Sequence, residues 1–191
     1  HDAHHDRGCH SYRAHMGETH GAFSLRGFRF IKLNTMEAHP LGISKEQIFW
    51  FRYEADAAIA RGERVVVFQH HYPFKVCETF EGPGIAEWRE IVQTRPVTAI
   101  FCGHTHYGQI ANDGRNIYVA TRSIGEPEGG PAGFAVVHLD GDDLAMTSRG
   151  SDAQGPLVLI THPRRFILCT HPRHIVSGPD EVCVRVWSPG A

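Results

Sequence analysis

Two apolar runs in the middle of the chain have the length and composition of buried strands. Arg64-Val65-Val66-Val67-Phe68-Gln69 and the run from Val97 to Phe101 are short and rich in β-branched residues, which is typical of strands covered on both faces. A segment with helical apolar spacing precedes each run. The order helix, strand, helix, strand over residues 44–106 therefore predicts an α/β fold with parallel strands and crossover helices.

The first of these helices has clear start and stop signals. Ser44 and Gln47 have the spacing of a capping box, in which Ser44 is the N-cap and the Gln47 side chain reaches back to it. Gly62 suits the C-terminal end. We expect this helix to pack against the core.

The flanking segments have the pattern of antiparallel strands. Residues 22–25 and 28–35 are joined at Arg26-Gly27, and the turns Asn112-Asp113-Gly114 and Asp140-Gly141-Asp142 predict two further hairpins. Residues 156–161 and 182–187 are also strand-like, but two or three strands are too few for an independent domain. We therefore expect one domain over residues 1–150 and an incomplete β-rich segment over residues 151–191.

Net charge, cysteine spacing and the lengths of apolar runs disfavour several classes of protein. The formal net charge of the 191 residues is −2, which gives no sign of nucleic-acid binding. The five cysteines are widely spread and form no C-x-x-C pair, so a disulfide-built fold is disfavoured. No apolar run is long enough to span a membrane and no signal peptide is recognised, and we expect a cytoplasmic protein without a membrane partner.

The fifteen histidines invite a metal hypothesis, which only their positions can support. His71 follows the first buried strand, and His104 and His106 follow Gly103 at the end of the second. In open α/β sheets, ligands lie at the carboxyl ends of parallel strands. A lone loop histidine is most often merely solvated, but two such strand ends favour a site with imidazole metal ligands.

These segments resemble motifs of the calcineurin-like metallophosphoesterase superfamily. Gly103-His104-Thr105-His106 resembles its Gly-His-x-His motif, and His71-Tyr72-Pro73 resembles its His-x-Pro motif. The resemblance implies an α/β/β/α sandwich over about residues 1–150. It also implies hydrolysis of a small-molecule phosphate mono- or diester by a metal-bound hydroxide at two divalent ions (Mn, Fe or Zn). By this analogy His71 and His104 bind one ion and His106 the other.

The first residues resemble the end of another motif of the same superfamily. His1-Asp2 is similar to the end of its Gly-Asn-His-Asp/Glu motif, which implies that His1 is the catalytic histidine that polarises the phosphate or protonates the leaving alkoxide. The family's early Asp-x-His, its bridging Asp and the preceding Asn are not in this sequence. We therefore expect the C-terminal portion of a catalytic domain, with weak or no hydrolysis on its own. The histidine-rich stretch to His20 is expected to be an exposed loop.

Two other function classes remain open. The fold could serve as a non-catalytic protein-binding scaffold, which is favoured if added metal changes neither stability nor spectra. It could also be a mononuclear zinc-binding module that uses His71, His104 and His106. One tightly bound equivalent without phosphatase activity would favour that module.

Overall fold

The computed structural model describes residues 9–38, 41–74, 80–125, 128, 130–178 and 181–188. Its elements, in chain order, are α1 (His10–Met16), β1 (Gly21–Leu25), β2 (Phe28–Lys32), α2 (Lys45–Ala60), β3 (Arg64–Gln69), α3 (Ile85–Thr94), β4 (Val97–Cys102), β5 (Gln109–Asn112), β6 (Ile117–Ala120), β7 (Gly133–Asp140), β8 (Asp143–Gly150), β9 (Leu157–His162) and β10 (Cys183–Trp187). Two short 3-10 turns, Phe166–Leu168 and Pro172–His174, lie between β9 and β10.

The chain divides after Val97 into two compact units, and the first is built on strands β1 to β3. β1 pairs with β2 in an antiparallel hairpin, and β2 pairs with β3 in parallel, in a register that runs from Phe28↔Arg64 to Lys32↔Phe68. Helix α2 packs against β2 and β3. The three valines of β3 are fully buried, as the apolar run predicted.

The second unit begins with a parallel pair of strands. β4 pairs with β6 in parallel from Ile100↔Tyr118 to Cys102↔Ala120, and β5 pairs with β6 in the predicted hairpin. β7 and β8 form another predicted hairpin, and β9 pairs with β10 in a two-stranded sheet. β9 also packs against β8. The proposed boundary at residue 150 stays a prediction.

The expected α/β class is confirmed. Parallel strand pairs occur in both units, namely β2 with β3 in the first and β4 with β6 in the second. A short helix, α1, occurs where an exposed loop was expected, so that expectation was wrong in conformation, although none of the helix's residues is buried. None of the described helices is both long and apolar enough to cross a membrane.

Helix α2 begins as predicted, but its third residue has a different role. The Gln47 amide donates to Ser44 Oγ at 3.1 Å, which confirms the N-cap. The Gln47 side chain does not return to Ser44. Instead it is buried against the chain that leaves β2, where Oε1 accepts from Asn34 N–H at 2.8 Å and Nε2 donates to the Asn34 carbonyl at 3.0 Å. Buried backbone groups need partners, and this amide supplies two of them.

Replacing Gln47 should therefore destabilise the protein. Gln47→Leu leaves the N–H and C=O of Asn34 unsatisfied, and each such group costs about 1–3 kcal/mol. We expect a clearly lower urea midpoint, measured by circular dichroism, with an unchanged m value. Lys45→Ala, at the exposed start of the same helix, is the matched control. Equal midpoints for Gln47→Leu and wild type would show that this side chain does not secure the segment.

Candidate metal site

His71 is held at the carboxyl edge of the first unit. Parallel pairing sets Lys32 opposite Phe68, and three residues further along each chain are Thr35 and His71. The hydroxyl oxygen of Thr35 lies 2.7 Å from the ring nitrogen Nδ1 of His71. The backbone N–H of His71 donates a hydrogen bond to the same oxygen at 3.4 Å. His71 is only 3% exposed. The imidazole therefore has a fixed orientation, with Nδ1 engaged by Thr35.

The loop after β4 has an unusual backbone. His104 and His106 have φ angles of 69° and 57°, in the left-handed region that non-glycine residues rarely adopt. Thr105 N–H between them donates to the Gly103 carbonyl at 2.8 Å. Left-handed conformations cost about 1–2 kcal/mol for such residues, and strain of this kind clusters at functional sites. Because the strain occurs at both histidines of the motif, this loop is a candidate functional site.

Residues after β6 hold the second histidine of the loop. The amides of Ser123 and Glu128 donate to the His106 carbonyl at 3.1 Å and 3.4 Å. The Glu128 carboxylate lies 3.9 Å from His106 Nδ1. A carboxylate beside an imidazole is a common arrangement behind metal-ligating histidines, because it orients the ring and raises its basicity.

His70 stands next to His71 in the first unit, and the centroids of their rings are 5.0 Å apart in an edge-on arrangement. Sequence reasoning missed His70, because the resemblance assigned a role only to the histidine of His71-Tyr72-Pro73. His104 and His106 belong to the second unit, and His1 lies outside the described residues.

The candidate histidines offer donors that fit a divalent metal ion, since imidazole nitrogens bind Zn²⁺ at about 2.0–2.1 Å. The thiol of Cys102, at the end of β4, is buried, and burial raises its pKa far above the usual range. This thiol therefore offers no thiolate at neutral pH.

The sequence profile of calcineurin-like phosphoesterases (Metallophos) matches residues 5–108, which is more than half of the chain. The chain belongs to the calcineurin-like phosphoesterase family. Among solved structures it is similar to a dimetal phosphatase from Danio rerio, with a TM-score of 0.56 and 17% sequence identity. That alignment covers 69% of this chain and 57% of the zebrafish chain. No curated protein sequence matches.

The individual roles of His1, His71, His104 and His106 remain predictions.

The hydrogen bond between the Thr35 hydroxyl and His71 should strengthen metal binding by this chain. Thr35→Val keeps the shape of the side chain and removes the oxygen next to His71 Nδ1, so the ring loses its fixed orientation. Loss of such a partner typically weakens metal binding about 10–100-fold. We expect a weakening of this size in calorimetric Zn²⁺ titrations. Thr161→Val, on β9, serves as the control. If Thr35→Val binds Zn²⁺ with unchanged affinity, His71 is not a ligand that Thr35 orients.

Proposed function

We propose that this chain carries the histidine ligands of a dinuclear metal centre that hydrolyses small phosphate mono- or diesters. The observation that carries the proposal is the left-handed backbone at both histidines of the Gly-His-x-His loop, in a chain of the calcineurin-like phosphoesterase family. Backbone strain of this kind clusters at functional sites. The contact between Thr35 and His71 supports the proposal, because it gives a candidate ligand of the first unit a fixed orientation.

Each residue then has a distinct role. His71 and His104 would hold one divalent ion, and His106 would hold the second. His70, whose ring lies next to that of His71, would be an additional donor. Bound ions of this kind acidify water and stabilise the attacking and leaving oxygens of an in-line displacement. Thr35 keeps His71 oriented, and the amides of Ser123 and Glu128 keep the His106 segment in place. His1 would donate a proton to the leaving group.

Charge limits what the histidines can do alone. Neutral imidazoles add no negative charge, so two divalent ions close together need carboxylate ligands as well. We therefore expect the 191 residues alone to bind one ion tightly and to hydrolyse phosphoesters negligibly. A protein that combines this chain with the family's carboxylate motifs should be active.

A mononuclear zinc-binding module is the second candidate. It is favoured by one observation, namely that the candidate ligands His71, His104 and His106 are all imidazoles, which are the donors of several zinc sites. It differs from the first proposal in a single respect that can be measured: it predicts one equivalent of metal and no turnover in any form of the protein.

The variant His104→Ala tests both candidates. We expect it to lose the metal of the 191-residue chain, measured as bound equivalents after dialysis, because one of the candidate imidazole donors is removed. In the protein with the carboxylate motifs it should lower Mn²⁺-dependent hydrolysis of bis(p-nitrophenyl) phosphate at least ~100-fold, since metal ions stabilise the transition state by several kcal/mol. His10→Ala, at the exposed start of α1, is the control.

The contrary outcomes are distinct. Full activity of the His104→Ala protein would refute the dinuclear proposal. Metal loss without any wild-type hydrolysis would favour the zinc module. Wild-type protein that binds no metal at neutral pH would favour a protein-binding scaffold. Metal binding should also weaken as the pH falls, because a protonated imidazole cannot ligate.

A further inference from the structure

Arg122 follows β6, is half-buried, and has no hydrogen bond or ion pair with any residue in the described parts of the chain. Three other partly or deeply buried arginines are paired with a carboxylate: Arg29 with Glu54 at 2.5 Å, Arg95 with Asp56 at 3.0 Å, and Arg164 with Asp143 at 2.8 Å. A guanidinium carries five donors and stays charged at all physiological pH values. A half-buried guanidinium without an acceptor is therefore a candidate ligand-binding group.

Glycines surround this side chain. A Cβ added at Gly130 would lie 3.5 Å from Cζ and Nη2 of Arg122, one at Gly133 would lie 3.5 Å from Cδ, and one at Gly108 would lie 3.8 Å from Cγ. The stem and the planar head thus pack over bare backbone at three places. Such packing restricts the position of the guanidinium without using its donors.

Arg122 lies next to the histidine loop of its own unit. The register Cys102↔Ala120 brings the ends of β4 and β6 to one edge, where Thr121 N–H donates to the Cys102 carbonyl at 3.4 Å. On the other side of Arg122, Ser123 N–H donates to the His106 carbonyl at 3.1 Å. Arg122 is therefore flanked by two residues that bind the strand and the loop of the Gly-His-x-His motif.

The acid beside His106 does not neutralise Arg122. The Glu128 carboxylate lies 3.9 Å from His106 Nδ1, and it forms no ion pair with Arg122. The guanidinium consequently keeps its donors for a ligand. Phosphoryl oxygens are a strong match, because the planar fork of arginine donates two parallel hydrogen bonds to them.

We propose that Arg122 binds the phosphoryl oxygens of the substrate, and those of the product phosphate, beside the His104–His106 loop. This inference rests on the proposed function, because it names the residue that holds the anionic part of the same substrate. Arg122 is a substrate-binding residue in this account and ligates no metal. Its glycine surroundings hold the guanidinium in place before the anion arrives, which lowers the cost of ordering it on binding.

Binding of inorganic phosphate tests the inference without any need for turnover. Isothermal titration calorimetry on Zn²⁺-loaded protein compares wild type with Arg122→Ala, Arg122→Gln and Arg122→Lys. We expect the Kd for phosphate to rise about 10–100-fold for Arg122→Ala and Arg122→Gln, the range that corresponds to hydrogen bonds to a charged group. Arg122→Lys should bind with intermediate affinity, because it keeps the charge and loses the fork. Arg185→Ala, at an exposed position of β10, is the matched control.

The outcomes separate this inference from the proposed function. Equal phosphate affinity for Arg122→Gln and wild type, or no phosphate binding by wild type, would overturn the inference. Weakened binding with unchanged melting temperature supports it, even if no hydrolysis is found and the proposed function fails. In a hydrolytically active protein, Arg122→Gln should raise KM more than it lowers kcat. A change in kcat alone would argue against a binding role.

Discussion

Parallel strands present their carboxyl ends on the same edge of a sheet, and both units of this chain depend on that constraint. In the first unit, pairing of Lys32 with Phe68 brings Thr35 to His71. In the second unit, pairing of Cys102 with Ala120 brings the residues after β6 to the loop after β4. A shift of either register by one residue would also turn the neighbouring side chains to the opposite face.

The histidine loop is costly to form and is stabilised locally. Left-handed backbone at His104 and His106 disfavours the loop by about 1–2 kcal/mol per residue. The amides of Ser123 and Glu128 bind the His106 carbonyl and offset part of that cost, since a hydrogen bond contributes about 0.5–1.5 kcal/mol. The loop is thereby defined before any ligand is bound, which is the condition that metal and anion binding both favour.

Apolar patterning was enough to predict β3, β4 and helix α2, because their burial follows from the sequence of each segment alone. The positions of His71 and His104 at strand ends could be predicted for the same reason. The partners of Gln47 could not, since they lie on a strand exit 13 residues away. Arg122 was missed for a related reason: its significance comes from tertiary neighbours, namely glycine backbones, which no local pattern reveals.

The identity of the atoms around a bound ion tests the central claim most directly. X-ray absorption spectra of the Zn²⁺-loaded chain should show nitrogen at about 2.0–2.1 Å, together with the outer-shell scattering typical of imidazole rings. The imidazole contribution should decrease in both His71→Ala and His104→Ala. A sulfur shell at about 2.3 Å, an oxygen-only shell, or spectra that neither substitution changes would contradict a metal site built on these histidines.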